Sequence, residues 1–357
     1  MNRSLLIVLL LCSSLCHAQE GGPFKINAQG ELELDSTTDL GNYNAFVAGE
    51  FHGVYGTSEV KLALIKFVNK RYGITDVFME IGYSAAWLYN RYLCSGDTAF
   101  FSAPLLVYAG KQPNRDFWKQ LYQYNKTPGH KITIHGIDFE RMEFVKALKL
   151  MQPTDKPKPK EIAPILTYID NLNIASVNSD SLATIYDRIR QSLDNNGRAY
   201  HLYYGANSDI VNEILHNRST MANYGGRNKT MYHNLVEQTE QESIRKFIAF
   251  TGMNHANRSD ATSLCSLIMN SDPFKNQVTN IAMVCKNCYD LQLPADKQTK
   301  FRAPYTYEKD SLSLSNIYNG YFNPACKYRL IPTNTLKDEK IKKYSQYLIL
   351  MKDQPEY

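Results

Sequence analysis

Past its first eleven residues the sequence has no apolar run that approaches the ~20 residues a helix needs to cross a bilayer. No integral membrane segment is therefore expected in the mature chain. Gly-x-Ser-x-Gly is also missing, which argues against the strand–turn–helix elbow of a serine hydrolase. One Cys-x-x-Cys pair, Cys285 and Cys288, has no second pair after it and makes at most half of a four-cysteine zinc site. The net charge of +5 forms no basic stripe interleaved with aromatics, so nucleic acid is not an expected partner. Part of that charge lies in Lys156-Pro157-Lys158-Pro159-Lys160, which reads as a solvated linker. No internal repeat and no long disordered tract are expected.

What is present begins with an export signal. Asn2-Arg3 are followed by the apolar run Leu5 to Leu11, and Cys16-His17-Ala18 place small residues at −3 and −1 before Gln19. That order of a polar start, a short apolar stretch and a cleavage site is the layout of a secretory leader. Residues 1–18 are read as a signal peptide, and the mature protein as periplasmic or secreted. Lipidation at Cys12 or Cys16 is the alternative, but Ser13-Ser14-Leu15 suit it poorly. Removing the leader leaves Cys94, Cys265, Cys285, Cys288 and Cys326, an odd number, so at least one thiol is free or pairs between molecules. A disulfide involving Cys285, Cys288 or both is the expected use in an oxidising compartment.

Residues 19–357 are read as one α/β domain. Ala45-Phe46-Val47-Ala48, Asp76 to Ile81, Lys131 to Asp138, Lys246 to Gly252 and Val278 to Val284 read as buried strands. Ser58 to Tyr72 carries helical apolar spacing, with Thr57 or Ser58 as the expected cap and Gly73 as the stop. Strands alternating with helices predict a mostly parallel central sheet flanked by helices. Glu161–Leu172, Ser181–Leu193 and Lys229–Lys246 read as helices of an insertion, a cap over one end of the sheet at about residues 150–245. Residues 96–126 read as a smaller helical excursion, and Tyr344 to Met351 as a strand extending the sheet edge.

Polar residues gather where these strands end. Glu50 and His52 follow the first, Glu80 ends the second, Asp138 closes the third with Glu140 and Arg141 beyond it, and His255 follows the fourth. In a parallel sheet those carboxyl ends converge on one edge, where open α/β proteins form ligand crevices. Each residue also has a plainer reading. Glu50 suits a helix cap or a lysine partner, His52 a satisfied histidine, and Asp138 the N-cap of a helix over Phe139–Leu150. The loop after His255 reads in part as a helix start. Glu80, set among Val77, Phe78 and Ile81, is the hardest to explain structurally, because a buried carboxylate needs a partner or a raised pKa.

Two Gly-x-x-His motifs occur in order, Gly49-Glu50-Phe51-His52 and Gly252-Met253-Asn254-His255. On these the chain resembles the clan that joins Tiki-type and TraB-like proteins, ChaN-like haem-binding proteins and erythromycin-esterase-like hydrolases. The esterase branch adds matches in Val77-Phe78-Met79-Glu80, in Gly136-Ile137-Asp138, and in the spacing of Arg227, Met231 and Asn234. The likeness covers residues from about 45 to 145 and 225 to 260. Two departures stand out: this chain has one residue fewer between Glu50 and His52, and Gly252 where that branch has the first of a His-x-x-His pair.

The resemblance implies hydrolysis of an ester or peptide bond in a small molecule or peptide, by water activation at a Glu/His cluster. Glu50 and His52 are expected to activate water. His255 is expected to stabilise charge, Glu80 to orient an imidazole or arginine, and Arg227 to neutralise the cluster. The metal-assisted version gives His52, His255 and Glu50 a divalent ion to hold. The alternative is a non-catalytic protein of the ChaN-like type that binds haem or another small ligand, with histidine or tyrosine as the axial ligand.

Overall fold

The computed structural model describes residues 23–27, 30–34, 40–41, 43–52, 54, 56–100, 112–129, 131–173, 179–217, 225–286 and 327–352. The expected leader, Cys288 and Cys326 lie outside them. Nine strands form one mixed sheet in the order β2-β1-β8-β9-β7-β3-β6-β4-β5. They are β1 (Pro23–Ile26), β2 (Leu32–Glu33), β3 (Ala45–Glu50), β4 (Asp76–Met79), β5 (Thr133–Gly136), β6 (Phe247–Gly252), β7 (Val278–Lys286), β8 (Tyr328–Pro332) and β9 (Tyr347–Lys352). From β9 through β5 every pairing is parallel, while β8, β1 and β2 add antiparallel strands at the other side.

The parallel strands read as unbroken apolar runs because both their faces are covered. In β3, Phe46 and Ala48 enter one core while Ala45 and Val47 enter the opposite one. In β6, Ile248 and Phe250 share the first core, and Phe247 and Ala249 the second. Helix α1 (Thr57–Tyr72) covers the first face with Val60, Leu64, Ile65 and Val68. Helix α2 (Tyr83–Ser95) and α3 (Gln112–Asn125) add Tyr89, Tyr92, Phe117 and Trp118.

Between β5 and β6 run α4 (Glu143–Met151), α5 (Ala163–Asn171), α6 (Ser179–Tyr204), α7 (Ser208–Asn217) and α8 (Arg227–Gln241). The first four pack with Tyr83 and Leu88 of α2 around their own core, which includes Phe144, Leu166, Tyr186 and Ile214. Helix α8 lies on the sheet, with Met231 and Leu235 in its second core beside α9 (Leu264–Met269). Helix α10 (Glu339–Tyr344) precedes β9. Among the described residues no helix is long and apolar enough to cross a membrane.

Several local expectations are corrected. Strand β9 lies between β7 and β8 inside the sheet rather than at its edge, because its apolar residues are buried on both faces. Helix α1 ends at Gly73 in the left-handed conformation as expected, but it starts at Gly56 without a side-chain cap from Thr57 or Ser58. Asp138 caps no helix: α4 begins only at Glu143, after Met142. The segment after His255 is a run of turns, and α9 starts after Ser263, whose side chain accepts a bond from Ser266 N–H. Cys285 is disulfide-bonded, while Cys94 and Cys265 are free thiols.

Candidate active site

The parallel strands deliver the polar residues to one end of the sheet. The backbones of the two Gly-x-x-His motifs meet directly: Met253 N–H donates to Glu50 C=O at 3.0 Å, and β3 and β6 pair up to Glu50 and Gly252. The motif glycines are fixed by contact. A Cβ on Gly49 would stand 2.7 Å from Ala256 Cβ, and one on Gly252 would stand 3.2 Å from His52 Nε2 and 3.4 Å from Glu80 Oε2. Gly252 therefore keeps its place because a side chain would enter the space between the imidazole and the acid.

Glu80 is the centre of the arrangement and only 6% of its side chain is exposed. Its Oε1 accepts from Arg227 Nη2 at 2.5 Å, and its Oε2 accepts from Gly252 N–H at 2.6 Å. His52 Nε2 lies 3.4 Å from Oε2, and His255 Nε2 lies 3.5 Å from Oε1. Arg227 also donates from Nε and Nη2 to the two oxygens of buried Asp138, at 3.0 and 2.7 Å. The guanidinium is thus clamped between two acids, and its carbon stands 5.4 Å from the Phe139 ring centre. The short contacts make Glu80, Arg227 and Asp138 a fixed frame; the two imidazoles touch it more loosely.

The far nitrogens of the histidines are held separately. His52 Nδ1 is 3.2 Å from Glu50 Oε1, and Lys61 Nζ is 2.7 Å from Glu50 Oε2. His255 Nδ1 is 2.5 Å from Asn228 Oδ1. Of the six residues expected from the sequence, Glu50, His52, Glu80, His255, Arg227 and Asp138 all fall in this one network. Two of its members went unread. Lys61 lies on the inward ridge of α1 with Thr57, Leu64, Ile65 and Val68, and a lysine on a buried ridge is the signal that marks it. Asn228 follows Arg227 directly in α8.

Charge explains the titration of the site. Glu50, Glu80 and Asp138 supply three negative charges, and Lys61 and Arg227 two fixed positive ones. Protonated His52 makes the third. Burial disfavours that proton, but hydrogen bonds to Glu50 and Glu80 outweigh it and raise the His52 pKa to about 9. Burial works to raise the Glu50 pKa, yet Lys61 and His52 hold it below the usual carboxylate range. Glu80 is lowered likewise, with burial overcome by His255 and His52 beside it.

A divalent ion does not suit these donors as placed. Both nitrogens of His52 face carboxylates, His255 Nδ1 faces Asn228, and Lys61 and Arg227 occupy the acid oxygens a metal would need. Among the described residues no group of three or more His, Cys, Asp or Glu side chains is disposed to hold a metal.

No protein-family model matches the chain, and no curated protein matches its sequence. Solved structures do match in fold. A Bacillus cereus protein has a TM-score of 0.55 at 15% identity, over 92% of this chain and 95% of its own. A succinoglycan biosynthesis protein has a TM-score of 0.57 at 15% identity, over 87% of this chain and 88% of its own. A variant of the erythromycin esterase EreC, in its open conformation, has a TM-score of 0.53 at 13% identity, over 89% of this chain and 94% of its own. Over nearly its whole length, the chain has the fold seen in this erythromycin esterase and the two structures beside it.

Proposed function

We propose that the protein is a hydrolase that cleaves an ester in a small molecule by metal-free attack of water at the His52–Glu80–His255 cluster. One observation carries the reading: a single buried carboxylate, Glu80, is shared by two imidazoles and an arginine at the carboxyl ends of parallel strands. The fold held in common with an erythromycin esterase supports it.

The geometry favours roles for the two histidines opposite to those expected from sequence. With a pKa near 9, His52 is an imidazolium at neutral pH and a poor base. Its two N–H groups face Glu50 and Glu80, so it acts through its positive charge, which stabilises the carbonyl oxygen as negative charge develops there. His255 Nδ1 faces Asn228 Oδ1, which assigns the ring proton to Nδ1 and leaves Nε2, 3.5 Å from Glu80 Oε1, to take a proton that Glu80 then stabilises. In the reaction Nε2 of His255 takes a proton from water as the water oxygen bonds to the acyl carbon. The tetrahedral species then collapses, the C–O bond to the alcohol breaks, and the alkoxide takes that proton back from His255. His52 keeps its proton throughout. Glu80, Arg227 and Asp138 hold both rings in place.

Purified protein assayed on a panel of small esters tests this. While remaining folded, His255→Ala should lose roughly 10²–10⁴-fold in kcat, the range for removing one acid–base group, and His52→Ala roughly 10²–10³-fold, the range for removing one group that stabilises the oxyanion. Turnover should decline as pH rises through about 9, where His52 loses its proton. A rate that instead climbs through that range would make His52 the base. Tight haem binding with no ester turnover would make the protein a ligand carrier.

A further inference from the structure

Two residues beyond Asp138 lies an acid that takes no part in the chemistry above. Glu140 is 1% exposed and forms no ion pair among the described residues. Its carboxylate accepts from the Ser84 hydroxyl, from Ser84 N–H at 3.3 and 3.4 Å, and from Asn217 Nδ2 at 3.1 Å. A Cβ on Gly82 would stand 2.7 Å from it, so α2 begins against this acid.

Asn217, the last residue of α7, links the acid to the site. The same Nδ2 that bonds Glu140 also donates to the Asp138 carbonyl at 2.7 Å. Its Oδ1 accepts from Asn234 Nδ2 at 2.8 Å, and Asn234 also donates to Ile137 C=O at 2.9 Å. Gln238, one turn on, donates to Gly136 C=O at 2.9 Å. Helix α8, which carries Arg227 and Asn228 at its start, is therefore laced to the three consecutive residues 136–138. Asp138 is gripped from both sides, its carboxylate by Arg227 and its carbonyl by Asn217.

We propose that Glu140 is a positioning residue of the active site, holding Asn217 so that Asp138 keeps Arg227 seated on Glu80. The inference rests on the hydrolase reading for its effect on turnover, but not for its effect on the network. A carboxylate buried without a cation is a costly way to orient one amide, and removing either partner of such a bond leaves an unpaired buried group. The titratable groups that face Glu140 are Tyr83 on α2 and Glu143 on α4. Burial first, with Glu143 adding to it, brings the Glu140 pKa up to about 7 against its bonds from Ser84 and Asn217.

Two measurements test it. In turnover, Glu140→Ala should lower kcat by about tenfold or more with KM within about twofold, since a small misplacement of a reacting group is enough to do this. Glu140→Gln, which keeps an acceptor for Asn217, should recover most of the loss. In thermal unfolding, the falls in midpoint caused by Glu140→Ala and Arg227→Met should not add in the double variant, although the two side chains do not touch. Asn217→Ala serves in place of Glu140→Ala if the latter fails to fold. Wild-type kcat in folded Glu140→Ala, or unfolding effects that add, would overturn the positioning role. If the wild type cleaves no ester but the unfolding effects fail to add, the positioning role stands and the hydrolase reading falls.

Discussion

Glu80 carries more of the site than any other side chain, since it meets His52, His255, Arg227 and the Gly252 amide at once. Glu80→Gln strips the negative charge from a buried network that still contains Arg227. It should cost roughly 3–5 kcal/mol in denaturant unfolding, the range for breaking a buried ion pair, together with most of the turnover. Folding at wild-type stability would show that Arg227 is held by Asp138 alone. The pH dependence of stability follows from the same charges. His52 binds its proton more tightly in the fold, so its contribution is complete below its ordinary 6.5 and is lost as pH rises through about 9. Glu50 and Glu80 bind theirs less tightly, so their contribution is present above the ordinary 4.5 and is lost as pH falls toward their lowered values. Much of this was legible because a carboxylate at the end of an apolar strand has few ordinary explanations. Asp138 was ambiguous because helix capping and ion pairing use the same side chain at the same kind of position. Lys61 and Glu140 are harder to read for another reason: a single lysine on a helix passes for a solvated charge unless its apolar ridge is traced, and an acid beside Arg141 passes for one as well.

At the level of elements, close approach decides the register of the site. A Cβ on Gly136 would stand 2.3 Å from the Gly82 carbonyl oxygen, so the end of β5 and the start of α2 pack backbone to backbone. Gly136→Ala should cost at least the roughly 1–3 kcal/mol of ordinary overpacking, read as a fall in unfolding midpoint, because backbone cannot rotate away as a side chain can. An unchanged midpoint would mean that α2 is free to shift. The parallel strands were readable as apolar runs because both faces are buried. Helix α8 was placed less well, at Lys229–Lys246 against Arg227–Gln241. Its Asn234 and Gln238 look like a water-facing stripe, yet they point inward and satisfy the carbonyls of residues 136 and 137.

Across the whole molecule, the parallel sheet sets the strand ends side by side, and the helices between β5 and β6 supply Arg227, Asn228 and Asn217 to them. Arg227 is readable only through the family resemblance, and Asn217 and Asn228 are not readable at all: nothing local in residues 208–228 announces a partner at the strand ends. Export, proposed from Leu5 to Leu11 and Cys16-His17-Ala18, predicts a mature chain that begins at Gln19. Intact mass of protein from its native host checks it, and an uncleaved or lipidated N-terminus would refute it. The central claim is that the acid–imidazole–arginine cluster itself activates water. Ester turnover after exhaustive chelation, compared across the wild type, His52→Ala and His255→Ala, tests it most directly. The account predicts undiminished turnover in the chelated wild type and its loss in both folded variants. Turnover that vanishes on chelation and returns with a divalent ion, or that survives in both variants, would contradict it.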